Sequence, residues 1–105
     1  MTDKELLEYA AKAAGIDHCA NVFGLFFLEE EERYWNPLTD DGDALRLAVM
    51  LRLNVDIFLG EIAVNASGCD KLIEKCINDI NYNDPYLATR RAIVRAAAEI
   101  GKGIK

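Results

Sequence analysis

Apolar positions at the start of the chain recur with a helical period. They are Leu6, Leu7, Ala10, Ala13 and Ala14. Residues three and four apart lie on one face of a helix, so this stripe predicts a helix with a single buried side. Thr2 and Glu5 fit a capping box, in which two side chains satisfy backbone N–H groups at a helix start. Gly15 suits the left-handed position after the last turn, so the predicted helix covers residues 3–14.

A second helical stripe follows a corner that holds the only tryptophan of the chain. Pro37 fixes its own φ and excludes Asn36 from the helical region, so the chain turns after Trp35, the expected structural anchor. The residues able to cap the next helix are Thr39, Asp40, Asp41 and Asp43. The stripe itself consists of Ala44, Leu47, Ala48 and Leu51. Asn54 is expected to take a left-handed conformation after this helix.

A third helix is predicted near the end of the sequence. Asp84 is a suitable N-cap, and Pro85 suits the first helical position because its missing N–H would have no partner there. The expected buried face is narrow and consists of Thr89, Ile93, Ala96, Ala97 and Ile100. Gly101 is expected to end the helix, which then covers residues 85–100.

Between the helices the apolar pattern changes to that of strands. Residues 22–28 are rich in aromatic residues and too short for a good helix, so they predict a strand, paired with a shorter one near residues 17–20. Alternation over residues 55–59 and a second apolar segment at 61–66 predict a hairpin. Both faces of the 22–28 strand are apolar. One face should meet the helices, and the other must meet another layer or a partner.

Residues 70–80 carry two conflicting patterns. Leu72, Ile73, Cys76, Ile77 and Ile80 have helical spacing, whereas Leu72, Glu74 and Cys76 alternate as in a strand. The position after a hairpin favours a third strand of a meander, which is our interpretation. The order α, β, α, β, α then predicts a single α+β domain, with an antiparallel sheet of three to five short strands packed with three helices.

Length and composition fit an ordinary globular domain. A chain of 105 residues suits one domain, and 51% hydrophobic with 29% charged residues is typical of such proteins. No apolar run approaches the roughly 18 residues of a membrane span. The first residues lack the apolar region of a secretory signal. We therefore expect a cytosolic protein that does not associate with membranes.

The net charge of −6 points away from one class of partner. Sequence-independent nucleic-acid binding needs many Lys and Arg side chains to displace counterions, so we expect no nucleic-acid partner. Four consecutive carboxylates form the densest charge and are typical of a solvated turn: Glu29, Glu30, Glu31 and Glu32. Three arginines of the third helix are expected to neutralise this run or the aspartates near residue 40: Arg90, Arg91 and Arg95.

Candidate catalytic and metal-binding residues are few. His18 is the only histidine and has no Ser or second His at a motif spacing, so we interpret it as a turn residue. The three cysteines, Cys19, Cys69 and Cys76, match no C-x-x-C pair and predict buried thiols.

Asp40, Asp41 and Asp43 depart from the spacing of a calcium loop, and capping explains them. The glycines form no phosphate-binding loop. The sequence therefore predicts no catalytic residue, cofactor or metal, and no enzyme.

Three segments carry a resemblance to a known group of proteins. They are W-x-P-x-x-D at residues 35–40, A-L-x-L-A at 44–48 and D-P-Y-x-A-T-R-R-A-I-V at 84–94. These segments resemble small phage and prophage proteins, akin to the phage α/β sandwich and NinX-type families. The resemblance implies a phage-encoded accessory protein made in the bacterial host cytoplasm. Since several such proteins blunt host functions, interference with a host factor or defence system is an extension by analogy.

These patterns lead to a functional hypothesis of binding without catalysis. Adjacent residues of an extended chain point to opposite sides, so Tyr34 is expected to be exposed where Trp35 is buried. Exposed aromatics often carry binding energy at interfaces, and Tyr82 and Tyr86 are further candidates. Packing in the core is the alternative for these rings, and it is the more common one. The predicted contact surface for a host protein consists of Glu29, Glu30, Glu31, Glu32, Phe26 and Tyr34.

Two alternative functions remain open. The first is a structural or self-assembling homodimer that buries the strand at residues 22–28. The second is a small enzyme with a polar cleft around His18 and Asp40.

Overall fold

Three helices and six short strands form the part of the chain that the structure describes. This computed structural model describes residues 2–16, 19–20, 26–28, 31–58, 61–66, 72–77 and 84–104. The elements are α1 (Asp3–Ala14), β1 (Cys19–Ala20), β2 (Phe26–Leu28), β3 (Arg33–Trp35), α2 (Asp41–Met50), β4 (Leu53–Phe58), β5 (Glu61–Ala66), β6 (Leu72–Ile77) and α3 (Pro85–Lys102). They extend over 37 × 30 × 23 Å. The predicted α+β class is confirmed.

The strands form two sheets where the sequence predicted one. β1, β2 and β3 make one antiparallel meander, and β4, β5 and β6 make a second. Along the chain, α2 separates the two meanders. Each sheet therefore contains only strands that follow one another in sequence. The short strand β3 was not predicted, because three residues are too few to show a period.

The predicted strands agree with the described residues. β1 and β2 are the described parts of the segments expected near residues 17–20 and at 22–28, and they pair as expected. The hairpin of β4 and β5 is confirmed. For the ambiguous segment at residues 70–80, the strand interpretation is confirmed over Leu72–Ile77, where β6 pairs with β5.

The helix starts follow the predicted caps. Thr2 Oγ1 accepts the Glu5 N–H at 3.2 Å within a complete capping box. Asp40 accepts the Asp43 N–H at 2.8 Å at the start of α2. Asp84 accepts two N–H groups at 3.1 Å at the start of α3.

Two predicted helix ends are wrong. Asn54 lies inside β4, and the left-handed residue after α2 is Arg52, with φ 53°. The reversal comes earlier than expected because β4 already begins at Leu53 to pair with β5. Gly101 does not end α3, which continues to Lys102.

Gly101 instead permits the close approach of two helices. It is buried in α3, and a Cβ at this position would overlap the carbonyl oxygen of Tyr9 in α1 and lie 2.7 Å from its carbonyl carbon. The two helices run in the same direction. Arg91 near the start of α3 pairs with Asp3 at 3.4 Å, and Lys12 near the end of α1 donates to the Ile104 carbonyl at 2.7 Å.

The buried apolar residues form two clusters, and α3 contributes to both. The first cluster joins the first sheet to the helices: Leu6, Leu7, Ala10, Ala11, Phe26, Leu28, Trp35, Leu38, Ala44, Leu47, Ala48, Ile93, Val94, Ala97 and Ala98. The second cluster lies between β5 and α3: Ile62, Val64, Ala88, Ala92 and Ala96. Of the face expected for α3, Ile93, Ala96 and Ala97 are buried, while Thr89 and Ile100 are only half-buried.

Candidate binding surface

The inner face of the first sheet is packed into the core and so holds the outer face, the candidate surface, in place. Phe26 and Trp35 are directly opposite in register, and their rings meet edge to face at 6.3 Å. Both side chains are buried in the first cluster. Trp35 is therefore the anchor that the sequence predicted. Phe26, however, does not belong to an exposed contact surface, because strand alternation turns it inward with Trp35.

Asp43 connects this sheet to α2 through hydrogen bonds. It is 2% exposed, and its carboxylate accepts the Asn36 N–H at 3.0 Å, Arg33 Nη1 at 2.7 Å and Arg46 Nη2 at 3.0 Å. Asp43 was one of four residues expected to be able to cap α2, and the cap is another of them, Asp40. The carboxylate of Asp43 instead ties β3 and the residue after Trp35 to the first turn of α2.

The hydrogen bonds of Asp43 keep it ionised in spite of its burial. Desolvation by burial would raise the pKa of this carboxyl, but the Asn36 N–H and the two guanidinium groups of Arg33 and Arg46 outweigh it, and the net pKa is lowered. The hydrogen bonds that Arg33 donates to Asp43 and to Glu31 raise the pKa of Arg33. Every oxygen of Asp43 has a partner, which is the requirement for a buried charge.

The outer face of the same sheet presents aromatic side chains. Phe27 and Tyr34 are opposite in register, and their rings meet edge to face at 5.3 Å. Tyr34 is 57% exposed and Phe27 is half-buried. The expected division between a buried Trp35 and an exposed Tyr34 is confirmed.

Exposed carboxylates lie in the turn before β3. Glu31 accepts a hydrogen bond from Arg33 Nε at 2.6 Å, and Glu32 has a left-handed φ of 51°. Both are exposed. Glu29 and Glu30 lie outside the described residues. The expected contact residues that the structure brings together are thus Glu31, Glu32 and Tyr34, and Phe27 joins them.

The other expected aromatic residues do not extend this surface. Tyr86 is 68% exposed at the start of α3, and among the described residues no ring contact joins it to Tyr34. Tyr82 lies outside the described residues.

The arginines of α3 pair partly as expected. Arg90 donates to Asp41 at 2.6 Å and to the Leu38 carbonyl at 2.9 Å, which confirms the pairing with the aspartates near residue 40. Arg91 pairs instead with Asp3 of α1. A long pair near the surface such as that of Arg91 and Asp3 contributes little individually.

A second exposed surface was missed. Leu45, Val49 and Met50 are exposed on the side of α2 away from the core. The available signal was the apolar character of these three residues off the predicted buried stripe, which consists of Ala44, Leu47, Ala48 and Leu51.

The described residues contain no group of three or more side chains suited to hold a metal ion. His18, the predicted turn histidine, and Cys69 lie outside the described residues, whereas Cys19 lies in β1 and Cys76 in β6. The burial of the three thiols stays a prediction. Over the described part of the chain, no helix combines the length and apolar character that crossing a bilayer requires.

Comparison with protein-family models, curated proteins and solved structures found no match to this chain. The resemblance to small phage proteins therefore stays a prediction from the sequence.

Proposed function

We propose that this chain is a non-catalytic accessory protein of a phage or prophage. In this proposal it acts in the bacterial host cytoplasm, where it binds a host protein and modulates or inhibits it. A component of host defence is one class of target. The origin rests on the sequence resemblance, and the binding function rests on one observation, the exposed ring of Tyr34 packed on the half-buried Phe27.

The Tyr34 ring is exposed but held in place. Its backbone pairs with β2, its ring packs on Phe27, and its neighbour Trp35 is fixed in the core. An aromatic side chain that is already ordered loses little conformational entropy on binding. Tyrosine is also among the residues that dominate binding energy at protein interfaces. These features favour Tyr34 as the centre of a contact.

The charge beside Tyr34 selects a basic partner. Glu31 and Glu32 are exposed in the adjacent turn, and Glu29 and Glu30 precede them in sequence. Arg33 pairs with Glu31 and with the buried Asp43. A negative surface around an aromatic centre steers association with positively charged partners and rejects acidic ones.

The test is capture of host proteins from a bacterial lysate by immobilised variants. We expect the native chain to retain a partner that is released as the salt concentration rises. Tyr34→Ala should reduce the retained amount by at least about tenfold, since a central tyrosine is typically a hot spot. Changing all four residues of the acidic run to glutamine should also release the partner.

Tyr86→Ala is the matched control, because Tyr86 is at least as exposed as Tyr34 but lies on α3. It should retain the partner as the native chain does. Equal retention by the native chain, Tyr34→Ala and the four-glutamine variant would remove this surface from consideration.

Self-association is the second candidate. The expected homodimer buried the strand at residues 22–28, but Phe26 and Leu28 lie in the chain's own core, and Phe27 alone of β2 turns outward. The outward side of α2 offers a larger apolar surface, which favours self-association through a different element.

A further inference from the structure

The outward side of α2 carries three large apolar side chains. Leu45 is 64%, Val49 67% and Met50 54% exposed. Each residue of a helix advances about 100°, so these three lie within an arc of about 140°. We call them the α2 outer face. Arg46 lies in the same arc, with its charge held by Asp43 at 3.0 Å.

Leu45 and Val49 are neighbours on this face, one helical turn apart, while Arg46 lies between Val49 and Met50. A single exposed leucine is ordinary on a protein surface, whereas adjacent ones form a patch that favours a partner. The opposite side of the same helix is buried through Ala44, Leu47 and Ala48. A helix that is apolar on both sides is typical of a helix that is covered on both sides.

The two ends of α2 carry opposite charges. Asp40 and Asp41 at its start have exposed side chains, and Asp41 uses Oδ1 for Arg90. Arg52 lies two residues after the end of the helix and is exposed, and its side chain makes no ion pair or hydrogen bond among the described residues. The outer face is thus acidic at one end and basic at the other.

We propose that the α2 outer face binds a second copy of this chain, with the two α2 helices antiparallel about a two-fold axis. This arrangement places Leu45 of each copy beside Val49 of the other. It also places Asp41 of each copy near Arg52 of the other, so the charge complementarity occurs twice. Antiparallel helices further bring each positive helix end close to a negative one. A parallel pair would bring like charges together.

The first test measures the oligomeric state by sedimentation equilibrium. A helix of ten residues offers a small contact, so we expect a reversible dimer that is evident by about 1 mM chain. Val49→Gln should weaken the dimer by at least about tenfold, since it places a polar amide in the contact. Tyr34→Ala, on the other exposed surface, should leave the dimer unchanged, which separates this proposal from the binding function above.

The second test uses charge reversal to establish the direction of the helices. Asp41→Arg alone and Arg52→Asp alone should each weaken self-association by about fivefold, because each creates two like-charge contacts. An equimolar mixture of the two variants should restore association, since both contacts in the mixed dimer are then between opposite charges. The double variant should restore it as well. Circular dichroism of each variant checks that the fold is kept.

A native chain that stays monomeric at about 1 mM would overturn the proposal. Failure of both the mixture and the double variant to recover association, with the fold kept, would overturn the antiparallel arrangement.

Discussion

The two hydrophobic clusters contact different faces of α3 and consist of different kinds of side chain. The first cluster contains Phe26 and Trp35 and is bordered by the buried carboxylate of Asp43. In the second cluster, Ile62 and Val64 of β5 pack on alanines. Among the residues whose side chains the structure describes, the first sheet is held by large rings and a charged network, and the second by small apolar contacts. Sheet size alone therefore does not determine how a region responds to mutation or pH.

Trp35→Ala should have the largest effect, because it removes the central ring of the first cluster. We expect a loss of about 3–5 kcal/mol in the free energy of unfolding. Denaturant unfolding monitored by far-UV circular dichroism measures it. Tyr34→Ala is the control on the outer face and should cost far less. A similar loss for both variants would mean that the inner face is not the anchor.

Gly101→Ala should come next, since the added methyl group would overlap the backbone of Tyr9. Backbone cannot yield as a flexible side chain does, so we expect a loss of about 3 kcal/mol. Gly103→Ala is the matched control, because a Cβ there meets its nearest atom, the Ile100 carbonyl oxygen, at 3.5 Å. A midpoint of thermal unfolding that is lowered equally by the two changes would contradict the close approach of α1 and α3.

Asp43→Asn should remove the charge that ties β3 to α2. We expect a loss of about 2 kcal/mol at neutral pH, less than for a fully buried ion pair because Arg33 and Arg46 are partly exposed. Asp41→Asn is the control, since Asp41 is exposed and pairs on the surface.

The same variant tests the pH dependence of the first cluster. The pKa of Asp43 is lowered in the folded protein. Its contribution is therefore complete above the ordinary aspartate pKa of about 4 and is lost as the pH falls from there through the folded pKa. Unfolding measured across this acidic range should show a smaller decline for Asp43→Asn than for the native chain. An equal decline would assign the acid sensitivity to other carboxylates.

Ile62→Val should have the smallest effect and belongs to the second cluster. Removing one methyl group from a buried position should cost about 1 kcal/mol. This cost should be the same at pH 7 and in the acidic range, because the described residues of this cluster are all aliphatic. A cost that changes with pH would mean that the stability of the second cluster also depends on the protonation of a charged group.

Local signals predicted the ends of α1 well. The capping box of Thr2 and Glu5 and the left-handed Gly15 act within one turn of the chain, so the sequence alone defines them. The strand β6 also followed from its place after a hairpin. Signals that depend on distant residues were misread. Gly101 looked like a helix end because nothing in its neighbourhood in sequence reveals Tyr9.

The candidate surface was predictable only in part, for the same reason. Alternation between Tyr34 and Trp35 is local, so the exposure of Tyr34 could be predicted. The orientation of Phe26 depends on its register with Trp35, which no local pattern fixes. Asp43 resembled a helix cap in sequence, whereas its actual partners Asn36 and Arg33 come from the preceding corner and strand.

The parallel pairing of α1 with α3 also affects the order in which the molecule folds. Their contacts join residues 88 and 92 positions apart. Such distant segments meet only after a large loop has closed, and that closure costs entropy before any contact compensates it. The two sheets, made of sequential hairpins, have no such requirement. We therefore expect α1 to dock late in refolding, and pulse-labelling hydrogen exchange would show its amides protected after those of β4 and β5.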